Sequence, residues 1–243
     1  MADPLTRKLE NFAPLSNEDR RVLAEATRQS RLVPARSDII SEGQRPDDVH
    51  LVLEGFACRY KLLPDGKRHI MAYLIPGDLC DVHVFILRAM DHSIATLSDC
   101  RVVDIPQDRV LRMLERPAIA RALWWSALVD EATLREWLVN LGARPAEQRL
   151  AHLLCELLLR LQTVGLANGN SYELPITQSE LGETMGLTLV HVNRVLQRLR
   201  AKGLVTLRNK HLIINDAQGL KEFGQFNPNY LHLKEKTGVD EHC

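Results

Sequence analysis

No stretch of the 243 residues holds eighteen consecutive apolar side chains, so no helix is expected to cross a membrane. Cysteine is scarce and poorly placed for cross-linking. The five, Cys58, Cys80, Cys100, Cys155 and Cys243, are odd in number and form no Cys-x-x-Cys pair. That argues against a disulfide framework and against a closed thiolate zinc site. Net charge is also lacking: 31 Lys and Arg balance 31 Asp and Glu, which excludes a wholly basic coat for nucleic acid but not a local basic patch. Residues Met1 to Phe12 carry no apolar signal core, so the expected location is a reducing cytoplasm. No phosphate loop, nucleophile elbow or carboxylate dyad stands in a context that suits catalysis, and no enzyme activity is expected.

What is present changes character twice along the chain. Asn17 to Arg28 reads as a short helix, and residues 30 to about 106 read as many short strands. Val49 to Leu53 and Phe56 to Leu62 read as short strands, Pro64-Asp65-Gly66-Lys67 supplies a turn, and His69 to Leu74 resumes the hairpin. Pro76-Gly77-Asp78 marks another turn, and Ile94 to Ile105 gives two strands around Asp99. Short strands punctuated by Gly and Pro predict an antiparallel β-roll of jelly-roll type. Asp108 to Glu115 is a short helix, and Pro117 opens a long one. On that long helix Ala120, Ala127, Leu134 and Leu141 are spaced by sevens, with Leu123, Trp124, Trp137 and Leu138 flanking the stripe. So apolar a helix is expected to pack on its own copy, with Ala120, Leu123, Ala127, Leu134, Leu138 and Leu141 at the seam. Asp130 lies beside the stripe, where repulsion across a dimer would make association conditional.

Gly142-Ala143-Arg144-Pro145 reads as a hinge. Ala146 to Gln162 is helical again with a broad leucine face, Gly165 to Ser171 reads as a loop, and Pro228 to Cys243 as a loose polar tail. Between them lies the segment Gln178 to Gln197, QSELGETMGLTLVHVNRVLQ. A helix-turn-helix needs a small residue where its helices cross, met by Gly182, and a turn residue tolerant of positive φ, met by Gly186. Its buried positions, Leu181, Met185, Leu187, Val192 and Val195, are all apolar, and Thr188 can cap the second helix. No acidic residue occurs between Glu183 and Asp216, whereas Arg194, Arg198, Arg200, Lys202, Arg208 and Lys210 do. Two strands around Arg208-Asn209-Lys210 complete a wing. Arg on the outer face of such a helix can read guanine bidentately, and Asn can read adenine.

The order of roll, long helix, hinge and winged helix-turn-helix resembles the Crp/Fnr superfamily of bacterial transcription regulators, over roughly residues 10 to 225. The resemblance implies an α+β chain with a sensor roll at 1–107, a short helix and dimerisation helix at 108–142, a winged helix-turn-helix at 143–226 and a flexible tail at 227–243. It implies a homodimer on double-stranded DNA of two-fold symmetry, with RNA polymerase as a further partner and no membrane. Base contacts would come from Arg194, which matches the family's reading arginine, and from Leu189, Val190, His191 and Asn193. Thr177, Gln178, Ser179, Arg198 and Lys210 would hold phosphates. Val190 stands where the family usually carries a glutamate; it cannot accept from cytosine but could touch a thymine methyl. Asn193 stands where oxygen-sensing members often carry serine.

The resemblance places the effector pocket near Asp81, His83, His92 and Ser93. Members that bind cyclic AMP need a glutamate where Val82 stands and an arginine where His92 stands, so cyclic AMP is not expected. No cysteine precedes Cys58, which removes the N-terminal iron–sulfur cluster of the oxygen sensors; haem is not indicated, and no cofactor or metal is expected. Cys80 and Cys100 would be inert if buried. Two competing readings stand beside this one. One is a cupin-like metal protein or enzyme that uses Asp81, His83 and His92; the other is a regulator whose roll is only structural.

Overall fold

The computed structural model describes residues 3–81 and 89–233. A helix the sequence reading did not contain opens the chain, α1 (Pro4–Glu10), with Asp3 as its cap and Leu5 and Leu9 fully buried. Helix α2 (Asn17–Ala26) follows, held by a capping box between Ser16 and Asp19. The roll is two antiparallel sheets. In one, β1 (Arg31–Val33), β7 (Cys100–Pro106) and β3 (Asp48–Glu54) lie in the order β1-β7-β3. In the other, β2 (Asp38–Ile40), β6 (Ser93–Thr96), β4 (Ala57–Leu62) and β5 (Arg68–Leu74) lie in the order β2-β6-β4-β5. The turn between β4 and β5 carries Gly66 at φ 81, a conformation only glycine adopts freely.

Helix α3 (Gln107–Leu114) leads into the long helix α4 (Pro117–Ala143). Ile119, Ala122 and Leu123 of α4 are buried against the roll. Leu123 is 2% exposed, so it belongs to the protomer's own core and not to a seam between copies. Trp137, beside the expected stripe, is likewise buried, edge-on to Tyr73. The exposed apolar ridge of α4 runs instead through Trp124 (67%), Leu128, Leu134, Leu138 (67%) and Val139, with Ala120, Ala127 and Leu141 half-buried along it. Asp130 is turned toward its own roll and pairs with Arg59 at 3.5 Å, so it does not face a second copy as a lone charge.

Helix α5 (Ala146–Thr163) is the spine of the C-terminal unit, with Leu150, Leu153, Leu154, Leu157, Leu158 and Leu161 all buried. The Gly165–Ser171 segment, expected as a loop, holds a small hairpin of β8 (Ala167–Asn168) and β9 (Ser171–Glu173). Gly165 and Gly169 supply its positive φ values, and the buried Tyr172 anchors it by donating to the Leu154 carbonyl at 2.9 Å. Then come α6 (Gln178–Met185), α7 (Leu189–Ala201), the wing strands β10 (Val205–Arg208) and β11 (His211–Ile214), and α8 (Ala217–Phe223). Strand β9 pairs with β11, so the hairpin extends the wing sheet to the order β10-β11-β9-β8. The start of the tail is not loose. Pro228–Leu231 forms a 3₁₀ turn with Tyr230 and Leu231 buried, because two large apolar faces there outweigh the polar composition around them.

The two halves meet through buried polar contacts. Arg160 on α5 bonds Asp78 of the roll at 2.7 Å and Glu156 at 3.2 Å, and Lys8 of α1 bonds the same Asp78 at 2.8 Å. Glu156 also accepts from the Trp137 indole at 3.0 Å and the Tyr230 hydroxyl at 2.9 Å. Next to it His152 stacks on Tyr230 and is 1% exposed. Burial, with Arg144 adding repulsion, holds its imidazole down to about 4. The unfolded chain takes that proton near 6.5, so the histidine's contribution to stability is complete above pH 6.5 and declines as the pH falls toward 4, by up to about 3 kcal/mol. Denaturant unfolding at pH 7 and pH 4.5 should show the loss, and His152→Gln should make the pH dependence shallower.

Candidate nucleic-acid interface and effector cavity

Helix α6 is started by a capping box: Thr177 accepts from the Glu180 N–H, and Glu180 takes the Thr177 N–H at 2.7 Å and its hydroxyl at 2.8 Å. It ends at Gly186, whose φ of 65 is left-handed and lets the chain reverse. At Gly182 a Cβ would lie 2.6 Å from the Leu187 carbonyl oxygen, so the turn can close only over glycine. Leu181, Met185, Val192 and Val195 are buried as the pattern requires, while Leu187 is half-buried against the same core. Thr188 caps α7 by accepting from the His191 N–H at 3.3 Å.

The outer face of α7 then presents Leu189, Val190, Asn193, Arg194, Gln197 and Arg198 to solvent, with His191 half-buried. The cations divide into two sets. Arg198 is ion-paired to Glu147 of α5, Arg200 donates to the Leu207 carbonyl at 3.2 Å, and Lys202 lies over the Phe223 ring. Arg194, Arg208 and Lys210 are exposed and make no salt bridge among the described residues. Asn209 and Lys210 take φ 50 and 62 at the wing tip, the pair of positive values that suits the twist of a two-residue hairpin. Of the expected phosphate holders, Gln178, Ser179 and Lys210 are available as they stand. Thr177 is spent on Glu180, and Arg198 must leave Glu147 to reach a backbone.

Contacts that local pattern did not show hold this reading head in place. Arg149 on α5 donates to the Met185 carbonyl at 2.9 Å and closes the end of α6. The hydroxyls of Tyr73 on β5 and Thr184 on α6 share a hydrogen bond, and Arg68 of β5 pairs with Glu183 at 2.7 Å. Helix α6 is therefore docked on the roll by the side opposite α7.

The described members of the expected effector set, Asp81, His92 and Ser93, have separate partners. Asp81 is buried and accepts from the His50 N–H at 2.8 Å and from its imidazole at 2.7 Å, which uses the carboxylate up. Ser93 accepts from the Glu42 N–H at 2.9 Å. His83 lies outside the described residues. His92 lines a cavity of about 490 Å³ between β5 and α4, together with Arg59, Tyr73, Trp124, Asp130 and Trp137. Burial keeps the His92 imidazole below its ordinary value, against the opposing pull of Asp91. Arg59 donates to the Leu79 and Cys80 carbonyls and pairs with Asp130; Arg160, at the far wall, is taken by Asp78 and Glu156. Among the described residues no three His, Cys, Asp or Glu side chains converge to hold a metal. Cys58, Cys80, Cys100 and Cys155 are buried, and burial pushes the Cys100 thiol up to about 11 and those of Cys58 and Cys155 up to about 12.

Comparison with known proteins agrees with this geometry. Residues 30–117 match the model of the cyclic nucleotide-binding domain, and residues 148–223 that of the Crp-like helix-turn-helix domain. The chain is 29% identical over 203 residues to a "Probable transcriptional activator" of Rhizobium leguminosarum bv. viciae, covering 82% of this chain and 83% of that one. It is 26% identical over 187 residues to the nitrogen fixation regulation protein FixK of Azorhizobium caulinodans, 76% of this chain and 75% of that one. Its fold superposes on the structure of FixK2 from Bradyrhizobium japonicum with a TM-score of 0.72 at 24% identity, over 80% of this chain and 96% of that one. No helix among the described residues is long and apolar enough to cross a membrane.

Gly182→Ala should separate α6 from α7 and cost about 1–3 kcal/mol. Specific DNA binding should fall and the unfolding transition should move to lower temperature, as read by binding titration and by calorimetry on one preparation.

Proposed function

We propose that the chain, whose two halves match the cyclic nucleotide-binding and Crp-like helix-turn-helix domains, is a DNA-binding transcription regulator of the Crp/Fnr family and not an enzyme. It works in the cytoplasm as a homodimer, with α4 packed on its copy and the two α7 helices in successive major grooves of a two-fold symmetric site. The observation that carries this reading is the exposed, capped α7, with Arg194 on its face in no salt bridge among the described residues and Lys210 on the adjacent wing. The ridge of Trp124, Leu128, Leu134 and Leu138 supports the dimer, since apolar side chains of that size in a row are rarely left bare. Arg194, Asn193, Val190, His191 and Leu189 are the base-reading set. Gln178, Ser179 and Lys210 hold phosphates, joined by Thr177 and Arg198 once their own partners release them. RNA polymerase is the further partner of a regulator that activates.

The cavity argues against cyclic AMP as effector. Both guanidiniums on its wall are already neutralised by carboxylates, and a neutral His92 cannot hold a cyclic phosphate. An iron–sulfur cluster has no ligand set either, since the described thiols are dispersed and buried.

Selection from a random duplex pool, with purified protein and no additive, should recover a two-fold symmetric consensus. Failure to enrich any sequence, with or without a cell extract as effector source, would overturn the reading. Arg194→Ala should cost about 1–3 kcal/mol on that consensus and relax one base pair, whereas Lys210→Ala should weaken all sequences and lower the salt slope by about one. Trp124→Asp with Leu138→Asp should give a monomer in sedimentation and lose at least about a hundredfold in affinity for the two-half-site duplex.

A further inference from the structure

The two most exposed large apolar side chains of the C-terminal unit sit side by side at the tip of the reading helix: Val190 is 69% exposed and Leu189 55%. The core beneath them is closed by Val192, Val195 and Leu196, so neither is needed to fill it. The first turn of α7 contains no acidic residue, and the one hydroxyl nearby, that of Thr188, is committed to the His191 N–H. No carboxylate is therefore at hand to accept from a cytosine amino group. Among the four bases only thymine shows an apolar group, its C5 methyl, on the major-groove edge. A β-branched side chain in a helix is held to one main rotamer, so the Val190 methyls are fixed in place before DNA arrives.

We infer that Val190 determines specificity by packing on a thymine methyl, within two base pairs of the guanine taken by Arg194. The inference rests on the DNA-reading role proposed above. Val190 and Arg194 are four residues apart and so share one face of α7, and four residues rise about 6 Å, one or two base-pair steps. A C·G pair at that place would set its amino group against the valine without a partner, which the helix cannot compensate.

The test uses the full-length protein and the duplex recovered by selection. Each thymine near the Arg194-dependent guanine is replaced in turn by uracil, which removes only the methyl group, and affinity is measured by fluorescence anisotropy. At one position uracil should weaken the wild type about fourfold per half-site and about fifteenfold when both half-sites carry it. The same replacement should leave Val190→Ala unaffected, and 5-methylcytosine should bind better than cytosine there. Val190→Glu, which restores an acceptor, should shift the selected base at that position to cytosine. Uracil that is silent at every thymine, or that weakens Val190→Ala as much as wild type, would overturn the assignment while leaving the regulator reading intact. Absence of any selected site would overturn both.

Discussion

The carboxylate of Asp78 lies where the roll, α1 and α5 meet. It is 3% exposed, it is reached by Lys8 from α1 and by Arg160 from α5, and it also accepts from the Ile75 N–H within its own turn at 2.8 Å. Burial works against the charged form, but two cations hold the carboxyl below the usual carboxylate range. Arg160 then carries the same charge network on to Glu156, which is fully buried and receives Trp137 from α4 and Tyr230 from the closing 3₁₀ turn. A buried ion pair adds little net stability over a well-packed apolar core, yet removing one partner strands a charge and is costly. The network thus acts as a register. Roll, long helix, spine helix and chain end can assemble in one arrangement, because any other leaves a charge unmatched away from water.

The same logic divides the surface of α4. One side is committed to the roll through Ile119, Ala122 and Leu123, and Asp130 is neutralised by Arg59. What remains outward is an apolar ridge with Trp124 and Leu138 at its most exposed points. Spacing by sevens identified that the helix had an unpartnered stripe, but not which side of each turn it occupied. A 27-residue straight helix drifts relative to a seven-residue repeat, and the roll claims positions that the repeat alone would give to a partner. Leu123 is the residue on which that distinction falls.

The helix-turn-helix was legible in the sequence because its constraints are local. Gly182, Gly186, Thr188 and the buried quartet Leu181, Met185, Val192 and Val195 lie within one short segment, and each answers to a rule about crossing, turning, capping or burial. The strands of the roll were legible for the same reason, as short apolar runs punctuated by Gly and Pro turns such as Pro64–Lys67. What was not legible depends on contacts between residues distant in the chain. Asp81 looked like a free carboxylate until His50, on β3, took it. Arg198 looked like a free cation until Glu147 met it from the start of α5. Pro228 to Leu231 looked loose because its composition is polar, yet the burial of Tyr230 is decided by Glu156 and His152 on another helix. Helix α1 is too short for periodicity to declare itself, and its place is set by Lys8 and by Arg7 donating to the Val164 carbonyl at 2.8 Å.

These long-range contacts also join the roll to the helix-turn-helix. Tyr73 lines the cavity, and its carbonyl receives Arg160 at 2.9 Å. Its hydroxyl meets Thr184, and because the Thr184 hydroxyl already donates to the Glu180 carbonyl, Tyr73 is the donor. Thr184 and Glu180 lie on α6, whose other side crosses α7 over Gly182 without room for a methyl group. Interfaces packed this closely shift as units and do not deform by degrees. Tyr73 thus puts the cavity wall in direct contact with α6, the helix that crosses α7 over Gly182.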